Sequence, residues 1–255
     1  MFPLKPIAIL EYDLDNGPAY FAEYLRGEKI PFEHFRIAVG AAIPDSISPY
    51  AGLCLMGGSA SANDDLPWIA KVLALTREAI AQDVPVIGHC LGGQIISKAL
   101  GGEITASPEA EIGWGECYVE NSDLAREWFG KTHTFPAFQW HFETFSIPPD
   151  ATAVLSGICC ENQAFVCGPR IGIQPHIEVD EQVIKNWAEK DRVMLKKLSG
   201  FGVQSYATML KEMKIKLSAM RAVTQQVYGV WLANVLERQV SSVIARREST
   251  KQSRI

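Results

Sequence analysis

Two rhythms of apolar and polar residues divide this chain. Through roughly its first hundred residues, short apolar runs alternate with stretches that repeat apolar residues every three or four positions. Ile7-Ala8-Ile9-Leu10, Phe32 to Ile37, Ala51 to Met56 and Val84 to Ile87 read as strands, and the wholly apolar ones as strands buried on both faces. Phe21, Tyr24 and Leu25 place a helix over 19–27, Trp68 to Ile80 reads as a second, and Ile95 to Leu100 suits a third. An Asn16-Gly17-Pro18 turn separates the first strand from the first helix. Strands that alternate with helices and end in glycine-containing loops predict a parallel α/β sheet with right-handed crossovers. Sites in such sheets lie beyond the carboxyl ends of the strands. Gly57-Gly58 and Cys90 both fall at such ends, so their loops are expected to face one crevice.

After Gly101-Gly102 the pattern shortens. Ile112 to Val119, Ala137 to Phe145, Ala151 to Leu155, Ala164 to Cys167 and Arg170 to Gln174 read as a mixed or antiparallel extension of the sheet, with a helix near 123–129. From Asp180 onward the pattern is helical. Val183, Ile184, Trp187, Met194 and Leu198 make one apolar face, which Gly200-Phe201-Gly202 interrupts. Tyr206, Met209, Leu210, Met213, Leu217 and Met220 then recur at helical spacing, as do Val223, Val227, Val230, Trp231, Val240 and Ile244. We read this stripe as core or subunit packing. The predicted architecture is a parallel-core open sheet flanked by helices, with a mixed-sheet extension and a C-terminal helical appendage. The α/β domain is placed at 1–180 and the helical extension at 181–255, packed on that domain or on a partner subunit. No internal repeat or flexible interdomain linker is visible.

Composition narrows the function. A net charge of −5 argues against nucleic acid as a partner, because neutralising phosphates takes a concentrated basic surface. The Arg246-Arg247, Lys251 and Arg254 cluster reads as a solvated tail. No apolar run reaches the ~18–20 residues that cross a bilayer, and Met1 to Pro6 lacks the apolar core of a signal peptide, so no membrane role and a cytoplasmic location are expected. Cysteines 54, 90, 117, 159, 160 and 167 then read as reduced thiols. Cys54 and Cys117 belong in strands, and Cys159-Cys160 with Cys167 lacks the paired spacing of a zinc site and reads as buried small hydrophobes. No metal and no cofactor are expected.

One short stretch carries the candidate chemistry: Gly88-His89-Cys90-Leu91-Gly92-Gly93-Gln94, between a strand and a helix. Its glycines permit a tight turn, and the helix start offers free N–H groups and a dipole end that favour thiolate. A cysteine nucleophile wants an imidazole base and a group, usually a carboxylate, that fixes its tautomer. His176-Ile177-Glu178 supplies both if extended, since positions two apart share a side. His141-Phe142-Glu143 has the same spacing, and spacing alone leaves the choice open. His133 lacks such a partner, while His34 and His89 read as surface or turn histidines.

These segments resemble a known family. Gly88 to Gln94 matches the G-x-C-x-G-x-Q signature of the class I, triad-type glutamine amidotransferases, and Gly172-Ile173-Gln174-Pro175-His176-Ile177-Glu178-Val179 is similar to their closing G-x-Q-x-H-x-E-V segment. Gly57-Gly58-Ser59 resembles the family's oxyanion loop, without the proline that usually follows. Gln139-Trp140-His141-Phe142-Glu143, Pro148-Pro149 and Asn162 to Phe165 resemble free-standing members. The resemblance spans about residues 7–179 and leaves the helical tail unexplained. It implies the family's flavodoxin-like fold and a catalytic role for the 1–180 domain. It also implies Cys90 as nucleophile, His176 as base and acid, Glu178 as orienting carboxylate, the Gly58 and Leu91 N–H groups as oxyanion donors, and Gln94 and His141 at the substrate. Pro175 and Ile177 depart from the common phenylalanine and proline around the histidine.

The implied reaction is hydrolysis of the glutamine side-chain amide through a γ-glutamyl thioester, releasing ammonia and glutamate. No synthetase domain is fused to the chain, so an ammonia acceptor would be a separate protein, and the C-terminal helices are a candidate surface for self-association. A γ-glutamyl peptidase or hydrolase acting on γ-glutamyl peptides or conjugates is the alternative. A cysteine hydrolase of the dienelactone hydrolase type shares the nucleophile turn but orders its residues nucleophile, acid, histidine, whereas here the acid follows the histidine. A non-catalytic regulatory or partner-binding role is the remaining reading.

Overall fold

The computed structural model describes residues 4–14 and 17–252, with side chains described as far as Ser242. The Asn16 turn, the Met1 to Pro3 end, the side chain of Ile244 and the basic cluster from Arg246 to Arg254 lie outside that description. Nine strands form one sheet: β1 (Ile7–Glu11), β2 (Phe32–Arg36), β3 (Gly52–Leu55), β4 (Val86–His89), β5 (Ile104–Val119), β6 (Thr134–Phe145), β7 (Thr152–Gly157), β8 (Ala164–Cys167) and β9 (Arg170–Ile173). Their order is β2-β1-β3-β4-β9-β8-β7-β5-β6. The β2-β1-β3-β4-β9 half is parallel and the β9-β8-β7-β5-β6 half antiparallel. This is the expected parallel core with its antiparallel extension. The chain returns from the extension to insert β9 beside β4, which puts the end of β9 next to the end of β4.

The strands of the parallel core alternate between two apolar layers. Ile7, Ile9, Cys54, Met56 and Ile87 face one, and Ala8, Leu10, Leu53, Leu55 and Val86 face the other, the period-2 consequence of a pleated strand covered on both sides. Helices α2 (Pro67–Ala81) and α3 (Leu91–Ala99) cover the second layer, and α1 (Ala19–Gly27), α4 (Asp123–Phe129), α5 (Glu181–Lys190) and α7 (Tyr206–Gln252) the first, with the short α6 (Arg192–Leu195) between α5 and α7.

The tail departs from a continuous helical reading in a useful way. After α6 the chain loops through Gly200 to Gly202, Val203 bridges to Ile112 of β5, and α7 then runs without a break for 47 residues. Met209, Met213, Met220, Val223, Val227, Tyr228, Trp231 and Val235 are buried in the same cluster as β1, β3 and β4. The apolar stripe ends there: Val240, expected to continue it, is 60 % exposed. Gly52 of β3 lies so close to α7 that a Cβ on it would sit 3.0 Å from the Trp231 ring.

Candidate active site

Cys90 links β4 to α3, which begins at Leu91, four residues earlier than the apolar spacing indicated. Its φ of 48° and ψ of −110° place an L-residue in a costly backbone region, of the kind surrounding structure must over-determine. The restraints are visible. Cys90 N–H donates to the Ile173 carbonyl at the end of β9 at 2.7 Å, and the Gln94 N–H donates to the Cys90 carbonyl at 3.0 Å. Gly92 presses α3 against β3 so tightly that a Cβ there would lie 2.1 Å from the Leu55 carbonyl oxygen. The glycines are thus required by close approach, and they aim the cysteine side chain over the carboxyl ends of β3, β4 and β9.

His176 and Glu178 arrive from β9, but the strand has ended by Ile173 and residues 174–180 form an irregular loop. They meet nonetheless, with Nδ1 of His176 2.7 Å from Oε1 of Glu178 and both side chains buried. Strand alternation therefore fails as the reason they pair; loop anchoring supplies it. The His176 N–H donates to the Phe138 carbonyl at 2.7 Å, and the Tyr20 N–H donates to the Glu178 carbonyl at 3.0 Å. With Nδ1 engaged by Glu178, Nε2 is the ring nitrogen left for Cys90, whose sulfur is within hydrogen-bonding contact of the imidazole. Burial opposes a charged imidazole here, but Glu178 and the Cys90 sulfur outweigh it and raise His176 to about 10. Burial likewise works against the Glu178 carboxylate, yet His176 and His89 hold it below its ordinary value.

The other predicted residues gather around the same cavity of about 480 Å³. It is lined by Gly58, Cys90, Gln94, His141 and His176, with Trp140, Phe142, Glu143, Trp187 and Met194 around them. A Cβ on Gly57 would lie 2.6 Å from Cε1 of His176, and one on Gly58 2.8 Å from the Leu91 side chain, so the Gly57-Gly58 loop and the head of α3 close on the cysteine from two sides. Gln94 is buried and donates weakly to the Glu143 carbonyl and to Oε1 of Gln174, each at 3.3 Å.

His141 is also buried, yet its acid partner is not Glu143, to whose carbonyl oxygen its Nδ1 lies at 3.0 Å. Its Nε2 instead faces Oε2 of Glu111 at 3.0 Å, a close charge contact without hydrogen-bond direction. Glu111 stands opposite His141 in the β5–β6 ladder, just past a bulge after Ala106, and accepts a 2.7 Å hydrogen bond from Gln163. Sequence spacing could not find Glu111, because its register depends on that bulge. Gln174 was also missed: its side-chain amide donates to the Cys90 sulfur at 3.6 Å, and its place in the closing motif was the available signal.

Two expectations about histidines change. His89 was read as a surface or turn residue but is fully buried, with Nε2 3.0 Å from the Tyr228 hydroxyl of α7. His34 sits at the β2 edge, 2.6 Å from Glu11. The cysteines at 54 and 117 are fully buried, as the strand pattern predicted, whereas of the 159, 160 and 167 group only Cys160 is buried.

The fold and this constellation define a class: an open-sheet α/β protein with a cysteine on a strand-to-helix turn at the mouth of a crevice. Within that class the chain belongs to the class-I glutamine amidotransferase family, whose model matches residues 21–190. The crystal structure of a glutamine amido transferase from Methylobacillus flagellatus aligns with a TM-score of 0.86 at 39% identity, covering 91% of this chain and 96% of that one. One of the separately named subunits of a glutamine-hydrolyzing GMP synthase, from Methanococcus maripaludis, is 30% identical over 189 residues, 69% of this chain and 94% of that protein. Gamma-glutamyl peptidase 3 of Arabidopsis thaliana is 27% identical over 173 residues, 64% of this chain and 68% of its own. Among the described residues no helix is long and apolar enough to cross a membrane.

Proposed function

We propose that this protein hydrolyses the side-chain amide of glutamine with Cys90, His176 and Glu178 as its reacting groups. The observation that carries the reading is the His176–Glu178 contact of 2.7 Å, buried beside the Cys90 sulfur in one cavity. Cys90 gives its proton to His176 and its sulfur attacks the amide carbon, with the oxyanion taken up by the backbone N–H groups of Leu91 and Gly58. The C–N bond then breaks, His176 returns the proton to the departing nitrogen, and ammonia leaves a γ-glutamyl thioester. Water, deprotonated by His176, attacks that thioester to release glutamate and the thiol. Glu178 fixes the imidazole tautomer and stabilises its charged form. Gln94 and His141, on the cavity wall, hold the amino-acid end of the substrate. The subunit naming of the Methanococcus relative supports a separate protein as ammonia acceptor.

A second reading is favoured by the size of the cavity. About 480 Å³ lies within the ~300–1,000 Å³ typical of pockets for drug-sized ligands, more room than free glutamine fills. The apolar wall of Trp140, Phe142 and Met194 would take the second half of a γ-glutamyl peptide or conjugate, in line with the Arabidopsis relative. A substrate panel decides: ammonia and glutamate from glutamine support the first reading, and selective cleavage of γ-glutamyl peptides the second. Covalent labelling by an electrophilic glutamine mimic should fall on Cys90, be lost in His176→Ala and survive in His141→Ala. Turnover of neither substrate class, with candidate acceptors supplied, would overturn both readings, and loss of labelling in His141→Ala alone would move the base to His141.

A further inference from the structure

The polar contacts of α7 converge on the two segments that carry the proposed reacting groups. Arg221, Thr224 and Tyr228 follow one another at helical spacing, so they share one face of α7. Arg221 Nη2 donates to the Val179 carbonyl at 2.8 Å and Nη1 reaches the Ile177 carbonyl at 3.4 Å. The Thr224 hydroxyl lies 3.2 Å from the same Ile177 carbonyl and 3.0 Å from the Met220 carbonyl of its own helix. With Tyr20 holding the Glu178 carbonyl, all three carbonyls from Ile177 to Val179 have a fixed donor. The Arg221 guanidinium also lies 3.5 Å from the centre of the Tyr20 ring, tying the two supporting helices together. One turn further along, the Tyr228 hydroxyl meets Nε2 of His89, the residue immediately before Cys90. Thr224, Tyr228 and His89 are each fully buried, where an unmade hydrogen bond is costly.

We propose that this face of α7 is a positioning device: Arg221 and Thr224 hold the loop that presents His176 and Glu178, while Tyr228 braces the cysteine turn through His89, so that one rigid helix sets the distance between the two halves of the site. The inference rests on the reading of Cys90, His176 and Glu178 as the reacting groups. It also accounts for Ile177. That residue stands where the resemblance expects proline, in a loop with no strand ladder to hold it, and its carbonyl is instead held from α7. Each contact acts through another residue and touches no substrate, so the effect belongs on turnover. A displacement of about 1 Å in reacting groups costs on the order of 10²-fold in rate.

The test compares Thr224→Val, which keeps the shape and removes the hydroxyl, with Thr224→Ser, which keeps the hydroxyl, and adds Tyr228→Phe. All are made in the full chain and checked by thermal melting. Two readouts are taken: kcat and KM on glutamine or the preferred γ-glutamyl substrate, normalised to the titre of reactive Cys90, and the rate of Cys90 alkylation by iodoacetamide. Thr224→Val and Tyr228→Phe should each lower kcat about tenfold or more with KM near wild type, and slow alkylation, while Thr224→Ser stays close to wild type. Unchanged kcat and alkylation in both variants would overturn the positioning role, as would a fall explained entirely by loss of folded protein. If the wild-type chain turns over neither substrate class while alkylation of Cys90 still responds to Thr224→Val and Tyr228→Phe, the substrate reading fails and the positioning role stands.

Discussion

Nδ1 of His176 stands 2.7 Å from Oε1 of Glu178 in a loop that has left the sheet, and the cysteine they flank is buried with them. Glu178→Gln keeps the size of the side chain and removes its charge, so the imidazole loses both its tautomer preference and its stabilised cation. A fall in kcat of about 10²–10⁴ with little change in KM is expected, by analogy with amide replacement of the acid in other triads. Steady-state ammonia release, normalised to labelled Cys90, measures it. A variant with wild-type kcat would remove Glu178 from the mechanism.

The same pair predicts how stability follows pH. His176 is raised to about 10 from an ordinary 6.5, so its contribution is complete below about 6.5 and is lost as pH climbs through 10. Glu178 is lowered from 4.5, so its contribution is present above 4.5 and is lost as pH falls below that value. Urea midpoints should therefore drop at both ends, and the drop between pH 7.5 and 10.5 should be smaller in His176→Asn than in wild type. Lysines and tyrosines titrate equally in both proteins, so the difference isolates His176. An identical alkaline slope would show that the imidazole is not raised.

Gly57→Ala puts a methyl group 2.6 Å from Cε1 and 3.3 Å from Nδ1 of the His176 ring. The ring is wedged against Trp187, with centroids 4.7 Å apart, and cannot retreat without leaving Glu178. A loss of about 10²-fold in kcat is expected from such misplacement. Gly27→Ala, which meets nothing within 4 Å, is the matched control and should keep full activity. Equal activity of the two variants would mean the loop yields.

Trp231 belongs to α7, yet it is fully buried among β-sheet residues and packs 5.6 Å from Phe21, centre to centre. Trp231→Ala should cost about 3–5 kcal/mol, the usual range for emptying a large aromatic site. Chemical denaturation checks this. A cost below about 1 kcal/mol, the range of surface changes, would make α7 an appendage whose packing the sheet does not need.

The strands and helices around the cysteine were legible because a parallel strand covered on both faces must be apolar at every position, which Ile7 to Leu10 and Ala51 to Met56 are. The motif residues were legible for a related reason: Gly88, Gly92 and Gly93 mark close backbone approach, and only a few chemistries need a cysteine there. His141 and Glu111 were not paired in advance, because a bulge shifts the β5–β6 register between Ala106 and Glu111. His89 was misplaced because the chain before it gives no sign that a helix some 140 residues later will cover it.

By itself the sequence determined the alternation of strand and helix, the placing of Cys90 on a turn, and the short list of histidines that could serve it, since each follows from local spacing and from what a given side chain can do. Which histidine meets the cysteine, which acid meets each histidine, and what α7 is for were decided only in three dimensions. Those depend on β9 inserting beside β4 and on α7 lying across the sheet, and contacts between residues far apart in the chain leave no local period to read.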